Sequence, residues 1–307
     1  MATYLVTGGA GFIGSHLVEA LLSAGHRVRV LDNCSTGNRD NLPLRAELTV
    51  ADITQYDAIR SAFHGVDGVF HVAGLPNVQR SMDQPKETHD VNLTGTLHVL
   101  EAARAAGVRR VVFASSAAVY GNTPSPQRVG QGEEPLNIYG ASKLAVDHFV
   151  RERLKAAPVK IVGLRYFNVY GPGEAHKGHM ASMITKLAQH MRAGRRPRIF
   201  TDGTQKRDHI FVEDVMRANL LALRAPKEAS GIYNVGTGRA TSFNAIVSAL
   251  NETLGTALPP DYFENPYAAA YQNHTEADIA ETTSRIGFRP HFDVASGIRA
   301  YRESGEL

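Results

Sequence analysis

Short apolar runs alternate along the first half of the chain with longer stretches whose apolar residues recur at helical spacing. Tyr4–Thr7, Arg27–Leu31, Val66–Val72, Arg110–Ala114 and Lys160–Tyr166 read as strands. After the first of these, Phe12, Ile13, Leu17, Val18, Leu21 and Leu22 share one broad face of a helix predicted over Phe12–Ala24, which Gly25 ends. Helices are also predicted near Pro85–Ala106 and Asn137–Ala157. Repeated strand–helix–strand order predicts an α/β fold with a doubly wound parallel sheet, covered on both faces and joined by right-handed crossovers. After Asn168 the rhythm changes. Gly171–Gly178 is rich in glycine and histidine, Met180–Arg192 is amphipathic, Arg198–Phe200 is strand-like, and Leu258–Pro266 is proline-rich and loop-like. The expected organisation is one domain over 1–168, rejoined by some later segments, and a smaller mixed α/β lobe over 169–307.

Composition adds bounds. The 307 residues suffice for a full core, and a 43% hydrophobic share with 21% charged residues is an ordinary globular balance. The net charge of +3 lacks the clustered excess of a nucleic-acid binder. The densest basic run, Arg192, Arg195, Arg196 and Arg198, reads as a solvated helix end or as cations near a phosphorylated substrate. One cysteine, Cys34, allows no intrachain disulfide and fits a reducing compartment. No apolar run reaches the ~18 residues of a membrane span. The chain opens on a strand without a basic leader, so a cytoplasmic protein without a signal peptide is expected. No metal site is expected.

Thr7-Gly8-Gly9-Ala10-Gly11-Phe12-Ile13-Gly14 joins the first strand to the first helix. Its glycines at 8, 11 and 14 allow a tight turn, close approach of backbone to a pyrophosphate, and helix-on-strand packing. The helix N-terminus offers unpaired N–H groups and partial positive charge to phosphates. A strand before and a helix after make this a Rossmann dinucleotide site. Asp32 ends the second strand, where a carboxylate can hold a ribose diol and repel a 2′-phosphate, so NAD is expected over NADP. Asp52 comes after a third strand-like run and could reach the adenine.

Tyr139-Gly-Ala-Ser-Lys143 puts a phenol and an amine on one helix face. A phenol, with a reference pKa of about 10, is a poor base at neutral pH. A nearby ammonium and a positive nicotinamide ring favour its phenolate, which can take a hydroxyl proton while the carbinol carbon gives up hydride. Ser116, at the end of a strand, can hydrogen-bond the reacting hydroxyl or simply cap a helix.

These residues, with His71-Val-Ala73-Gly74, Asp90-Val-Asn92, Ser115-Ser116-Ala-Ala-Val-Tyr120-Gly121 and Arg165-Tyr-Phe-Asn168-Val-Tyr-Gly-Pro172, resemble the extended short-chain dehydrogenase/reductase family, in particular its nucleotide-sugar epimerases and dehydratases. The resemblance spans nearly the whole chain. It implies NAD contacts at Gly8, Gly11, Phe12, Ile13, Gly14, Asp32, Asn33, Asp52, Ile53, Ala73, Asn92, Tyr139 and Lys143, with Ser116, Tyr139 and Lys143 catalytic. It implies Asn168 on the sugar diphosphate and Arg207, in Lys206-Arg207-Asp208-His209-Ile210, on the nucleotide diphosphate, a role suited to a forked guanidinium. It also implies a homodimer whose helices near Pro85–Ala106 and Asn137–Ala157 pair as a four-helix bundle, although the same apolar faces fit intrachain core.

The substrate signal is divided. His176-Lys177-Gly178-His179-Met180-Ala181-Ser182 and Tyr271-Gln-Asn-His-Thr275-Glu-Ala-Asp278 resemble ADP-glycero-manno-heptose 6-epimerases. That likeness implies Lys177 as a second acid/base facing the tyrosine, with Tyr271 at the substrate; His179, a further candidate substrate contact, and Lys186 depart from the heptose pattern. Asp32-Asn-Cys-Ser-Thr-Gly and the stretch from Gly74 to Pro85 resemble NAD-using UDP-glucose-type 4-epimerases. Those enzymes usually carry Arg-x-Gly-Asp near Asn265–Tyr271 and often a cofactor-binding lysine at Pro76, and this chain has neither. The expectation is an NAD-dependent nucleotide-sugar epimerase, with a UDP-hexose 4-epimerase slightly ahead of a heptose 6-epimerase. A 4,6-dehydratase ranks lower, because Ser116-Ala117-Ala118 lacks the Asp-Glu that eliminates water. A non-enzymatic NAD sensor ranks lower still, because the tyrosine–lysine pair is kept.

Overall fold

In the computed structural model, residues 1–154, 159–266 and 272–307 are described. Seven parallel strands form the central sheet: β1 (Thr3–Thr7), β2 (Arg27–Asp32), β3 (Glu47–Val50), β4 (Gly68–His71), β5 (Arg110–Ser116), β6 (Lys160–Tyr166) and β7 (Gly231–Val235). Their spatial order is β7-β6-β5-β4-β1-β2-β3. The order reverses between β1 and β4, and in open α/β sheets the crevice outside such a reversal takes the ligand.

Both faces of this sheet are covered, which is why its strands are apolar at successive positions. Val6, Phe70 and Val112 point to one side, against Leu17, Val18 and Leu21 of α1 (Phe12–Ser23). Leu5, Val69 and Val111 point to the other, against Val99, Ala102 and Ala103 of α2 (Thr96–Ala105). The helix α3 (Ile138–Leu154) comes after a long loop, and Val146 and Val150 pack it onto Phe113 and Ile161. From the second half of the chain, α4 (Val212–Arg224) and β7 return to the sheet, where Val215, Ala218 and Ala222 join the first face. A separate core gathers Ile184, Leu187, Met191, Phe243, Ile246, Leu250, Ile298 and Tyr301.

Three expectations are corrected. The helix predicted over Pro85–Ala106 is broken into Pro85–His89, a π turn over Asp90–Gly95, and α2. The break is set by close packing. A Cβ at Gly95 would lie 2.6 Å from Ile53, and Thr96 is held by Asn92 O at 2.6 Å and His71 Nε2 at 2.8 Å. Within the proline-rich stretch read as loop, Asp261–Phe263 forms a short strand parallel to Arg198–Phe200. Two cations of the basic run hold it there. Arg196 donates to the Pro259 and Pro260 carbonyls, while Arg198 pairs with Asp261 at 3.2 Å and lies over the Phe263 ring. Finally, the amphipathic helix begins at Met183, capped by Ser182, rather than at Met180.

Candidate active site

One cleft of about 850 Å³ runs along the carboxyl ends of the central strands. At its cofactor end the glycine turn is set by geometry that no side chain would tolerate. Gly8 has φ +72°, and a Cβ on it would lie 2.5 Å from Ala73 N. A Cβ on Gly14 would lie 2.0 Å from Gly8 O. Gly11 precedes α1 with no side-chain cap, so the first N–H groups of the helix are left for an anion. Asp32 braces this turn from below. Its Oδ2 accepts from Ala10 N at 2.9 Å and its Oδ1 from Cys34 N at 2.8 Å, and an ionised carboxylate keeps further lone pairs for a diol. Asn33 donates to Asp52 at 2.8 Å. Burial works to raise the Asp52 carboxyl, but hydrogen bonds from Thr54 and Asn33 win and hold it below the usual value.

Gly8, Gly11, Phe12, Ile13, Gly14, Asp32, Asn33, Asp52, Ile53 and Ala73 all line the cleft. Asn92 does not. Its fully buried amide clips the backbone of Leu75 at 2.8 and 3.1 Å and donates to Ser142 at 3.0 Å. It shapes the loop above the cofactor end rather than facing it.

Tyr139 and Lys143 project from the first turns of α3 into the middle of the cleft, opposite Ser116 at the end of β5. The Asn137 side chain accepts from Gly140 N at 2.8 Å and starts the helix, and Tyr139 N donates to the Ser81 hydroxyl at 3.2 Å. Lys143 Nζ donates to Ala114 O at 2.9 Å. Burial depresses this amine to about 8, with Asp147 opposing the fall. Burial raises the Tyr139 phenol, and a hydrogen bond with Ser116 opposes the rise. Ser116 also accepts from Ala118 N at 3.1 Å, so it caps the turn that follows β5 while it faces the Tyr139 phenol. Burial thus drives the two groups apart, the phenol up and the amine down.

The far end is built from the second half of the chain. Asn168–Tyr170 pairs in parallel with His209–Phe211. Arg207 and His209 line the cleft, while Asp208 turns away and accepts from Thr237, Gly238 and Ala277. Arg207 Nη1 donates to Lys206 O at 2.9 Å. Asn168 lines the cleft, but its amide donates to Asp208 O at 2.9 Å and Thr275 Oγ1 at 3.4 Å, so its oxygen is the group left for a ligand. Lys177 lies 3.5 Å from Glu174 and 4.7 Å from the Phe12 ring centre, which brings the loop it belongs to against the glycine turn. Tyr271 lies outside the described residues, and so does the His179 side chain.

Further residues shape the site. The buried Glu174 carboxylate accepts from Gly171 N, Ser182 N and Thr185 Oγ1 and closes the loop around Lys177. His209 packs between Tyr170 and Phe243, and burial drives its pKa down to about 3, so it is neutral. Arg80 and Glu87 form a forked ion pair at 2.7 and 3.0 Å on the wall near Pro76. His209 meets Tyr170 and Phe243 in space rather than in sequence, so spacing could not reveal it.

Residues 4–236 match the NAD dependent epimerase/dehydratase family. The chain belongs to that family. A UDP-glucose 4-epimerase of Streptomyces lividans is 39% identical over 277 residues, 83% of this chain and 82% of that protein. The crystal structure of the Helicobacter pylori ADP-L-glycero-D-manno-heptose-6-epimerase superposes with a TM-score of 0.90 at 38% identity, covering 99% of this chain and 96% of the other. A Thermotoga maritima UDP-glucose 4-epimerase solved with UDP-glucose also superposes at 0.90, with 31% identity and coverage of 98% and 97%.

As an NAD-dependent epimerase family member, the chain fits its cofactor at the glycine turn, where Gly8, Gly11 and Gly14 line the cleft and no side chain caps the helix N-terminus. Among the described residues no helix is long and apolar enough to cross a membrane.

Proposed function

We propose that this NAD-dependent epimerase inverts C4 of a UDP-hexose. The observation that carries the reading is one continuous cleft. It joins the glycine turn, the Ser116–Tyr139–Lys143 group and the Arg207 guanidinium. Arg207 holds the diphosphate through forked donors. Ser116 holds the sugar hydroxyl, Tyr139 takes its proton, and Lys143 stabilises the phenolate. NAD, which the glycine turn and Asp32 would hold, would supply a reversible hydride acceptor for that carbon, so the cycle would have no net redox change. Tyr139 then gives the proton back to the ketone oxygen.

In this reading 1–168, with β7 and α4, hold the cofactor, and the rest of 169–307 holds the nucleotide sugar. A cytoplasmic setting is part of the proposal, supported by the single cysteine. So is a homodimer, supported by the exposed Val78 and Met82 on a helix packed against α3 and by the exposed Phe149 of α3.

The second reading is an ADP-heptose 6-epimerase, favoured by the position of Lys177 in the cleft. Incubation of NAD-loaded protein with UDP-glucose and, separately, with the ADP-heptose decides between them. UDP-galactose in the first tube supports the 4-epimerase. An inverted heptose alone transfers the assignment to the 6-epimerase. Both sugars unchanged at every stereocentre would end the epimerase reading. Lys177→Met adds a second axis. It leaves 4-epimerisation within a few-fold, because one base serves both faces there, and cuts 6-epimerisation by about 100-fold, the scale of one lost acid/base group.

A further inference from the structure

On α3, Tyr139, Lys143 and Asp147 stand at successive turns. On β5, Ala114, Ser115 and Ser116 are consecutive, and each meets one of the three. Ser116 hydrogen-bonds the Tyr139 phenol, Lys143 Nζ donates to Ala114 O at 2.9 Å, and Ser115 Oγ donates to Asp147 Oδ2 at 3.0 Å. The first two contacts belong to the reacting groups. The third is buried: Ser115 lines the cleft, but Asp147 behind it does not and is wholly shielded from solvent.

That third contact is anchored by charge. Arg165 is the ladder partner of Ser115 on β6, and its Nε donates to Asp147 Oδ2 at 2.8 Å. Its Nη1 lies 2.7 Å from Glu133, which Arg151 grips with two donors at 2.7 Å. Glu133 lies in the loop that leads into α3, so the network ties the helix, its entry loop and two strands together. Burying such charges is expensive, and a buried ion pair is weak grounds for inferring stability. The cost calls for another use.

We propose that Asp147 is a positioning residue for the catalytic pair: it sets the register of α3 on β5 and keeps the Lys143 amine charged. Asp147 Oδ2 takes both donors, whereas Oδ1 has no hydrogen-bond partner among the described residues, so part of the negative charge is left unquenched one turn from Lys143. Burial raises the Asp147 carboxyl, and Arg165 and Ser115 oppose that rise. The groups around Lys143 leave this role to Asp147. His71 of β4 is neutral, driven to about 3 by burial and by Lys143 itself, Asn92 carries no charge, and Tyr139 is the group to be ionised. Around Asp147 stand Arg165 of β6, Arg151 of α3, Glu133 of the entry loop and the Tyr120 ring, over which Arg165 lies.

The inference rests on Tyr139 and Lys143 being the reacting pair, so its test reads the lysine directly. Competitive acetylation of the cofactor-free protein, tracked residue by residue by mass spectrometry, reports the fraction of Lys143 present as free amine at each pH. In Asp147→Asn, which keeps the hydrogen-bonding shape, we expect Lys143 to be about tenfold more reactive at pH 6, a shift of about one unit below its value of about 8. Turnover should fall about tenfold. Ser115→Ala keeps every charge and should leave the labelling profile in place while lowering turnover. Should Asp147→Asn not fold, Asp147→Glu carries the test, with labelling within twofold of the wild type expected. An unchanged Lys143 profile in Asp147→Asn, or a tenfold change in Asp147→Glu, overturns the proposal. Labelling is independent of the sugar, so failure of the epimerase assignment would leave this result readable.

Discussion

The two ends of the cleft are built differently. At the cofactor end the backbone makes the site. Gly8 and Gly14 are required because a single Cβ would strike Ala73 N or Gly8 O, and the nearby polar side chains brace the turn. At the substrate end side chains make the site, and they lean on one another. Arg207 bonds its own strand, Lys177 leans on Glu174, and Asn168 spends its donors on Asp208 and Thr275. A backbone site admits one kind of ligand and few substitutions. A side-chain site can be retuned one residue at a time, and relatives named for different sugars superpose on this chain equally well, both at a TM-score of 0.90.

The sharpest way to break this contrast is Gly14→Ala. The added methyl meets Gly8 O, and overpacking of this kind costs about 1–3 kcal/mol. NAD binding should be lost to titration calorimetry, while any backbone shift shows as a lowered melting temperature. Retained NAD affinity would mean the turn is more pliable than its contacts indicate. Next is Tyr139→Phe. Turnover should drop by roughly 10²–10⁴-fold, the range for one lost acid/base group, with NAD affinity within a few-fold of the wild type. Arg207→Lys, at the other end, should be milder. Losing the fork while keeping the charge should raise KM about tenfold and leave kcat nearly unchanged, as steady-state kinetics would register.

The smallest effect is the pH profile. The base form of the Tyr139–Lys143 couple has lost one proton, so activity should rise as pH rises. Burial holds Lys143 near 8 and raises Tyr139, which places the midpoint of that rise near pH 8 and its plateau above it. A kcat/KM that falls steadily from pH 6 to 8 would contradict the assignment.

The same contrast explains what could be read from sequence. The glycine turn, Asp32 and the Tyr139–Lys143 pair are local, because backbone geometry and helical spacing demand residue types at fixed offsets. The π turn at Asp90–Gly95 is hidden from such reading because its causes, Ile53 and His71, come from other segments. Asn92 reads as a cofactor contact in the sequence, yet its partners Leu75 and Ser142 bury it beneath the wall. His209 meets the cleft between Tyr170 and Phe243, long-range packing that no spacing encodes. Asp147 is the intermediate case. Its spacing from Lys143 is plain in the sequence, but its meaning comes from Arg165 on a neighbouring strand.

The central claim is that one hydride leaves and re-enters one carbon of a nucleotide sugar. The most direct test uses UDP-glucose and the ADP-heptose, each deuterated at the carbon to be inverted, with NAD-loaded enzyme in ordinary water. The account predicts an inverted sugar that keeps its deuterium at that carbon. No inversion of either sugar, or inversion with the deuterium washed out into solvent, would contradict it.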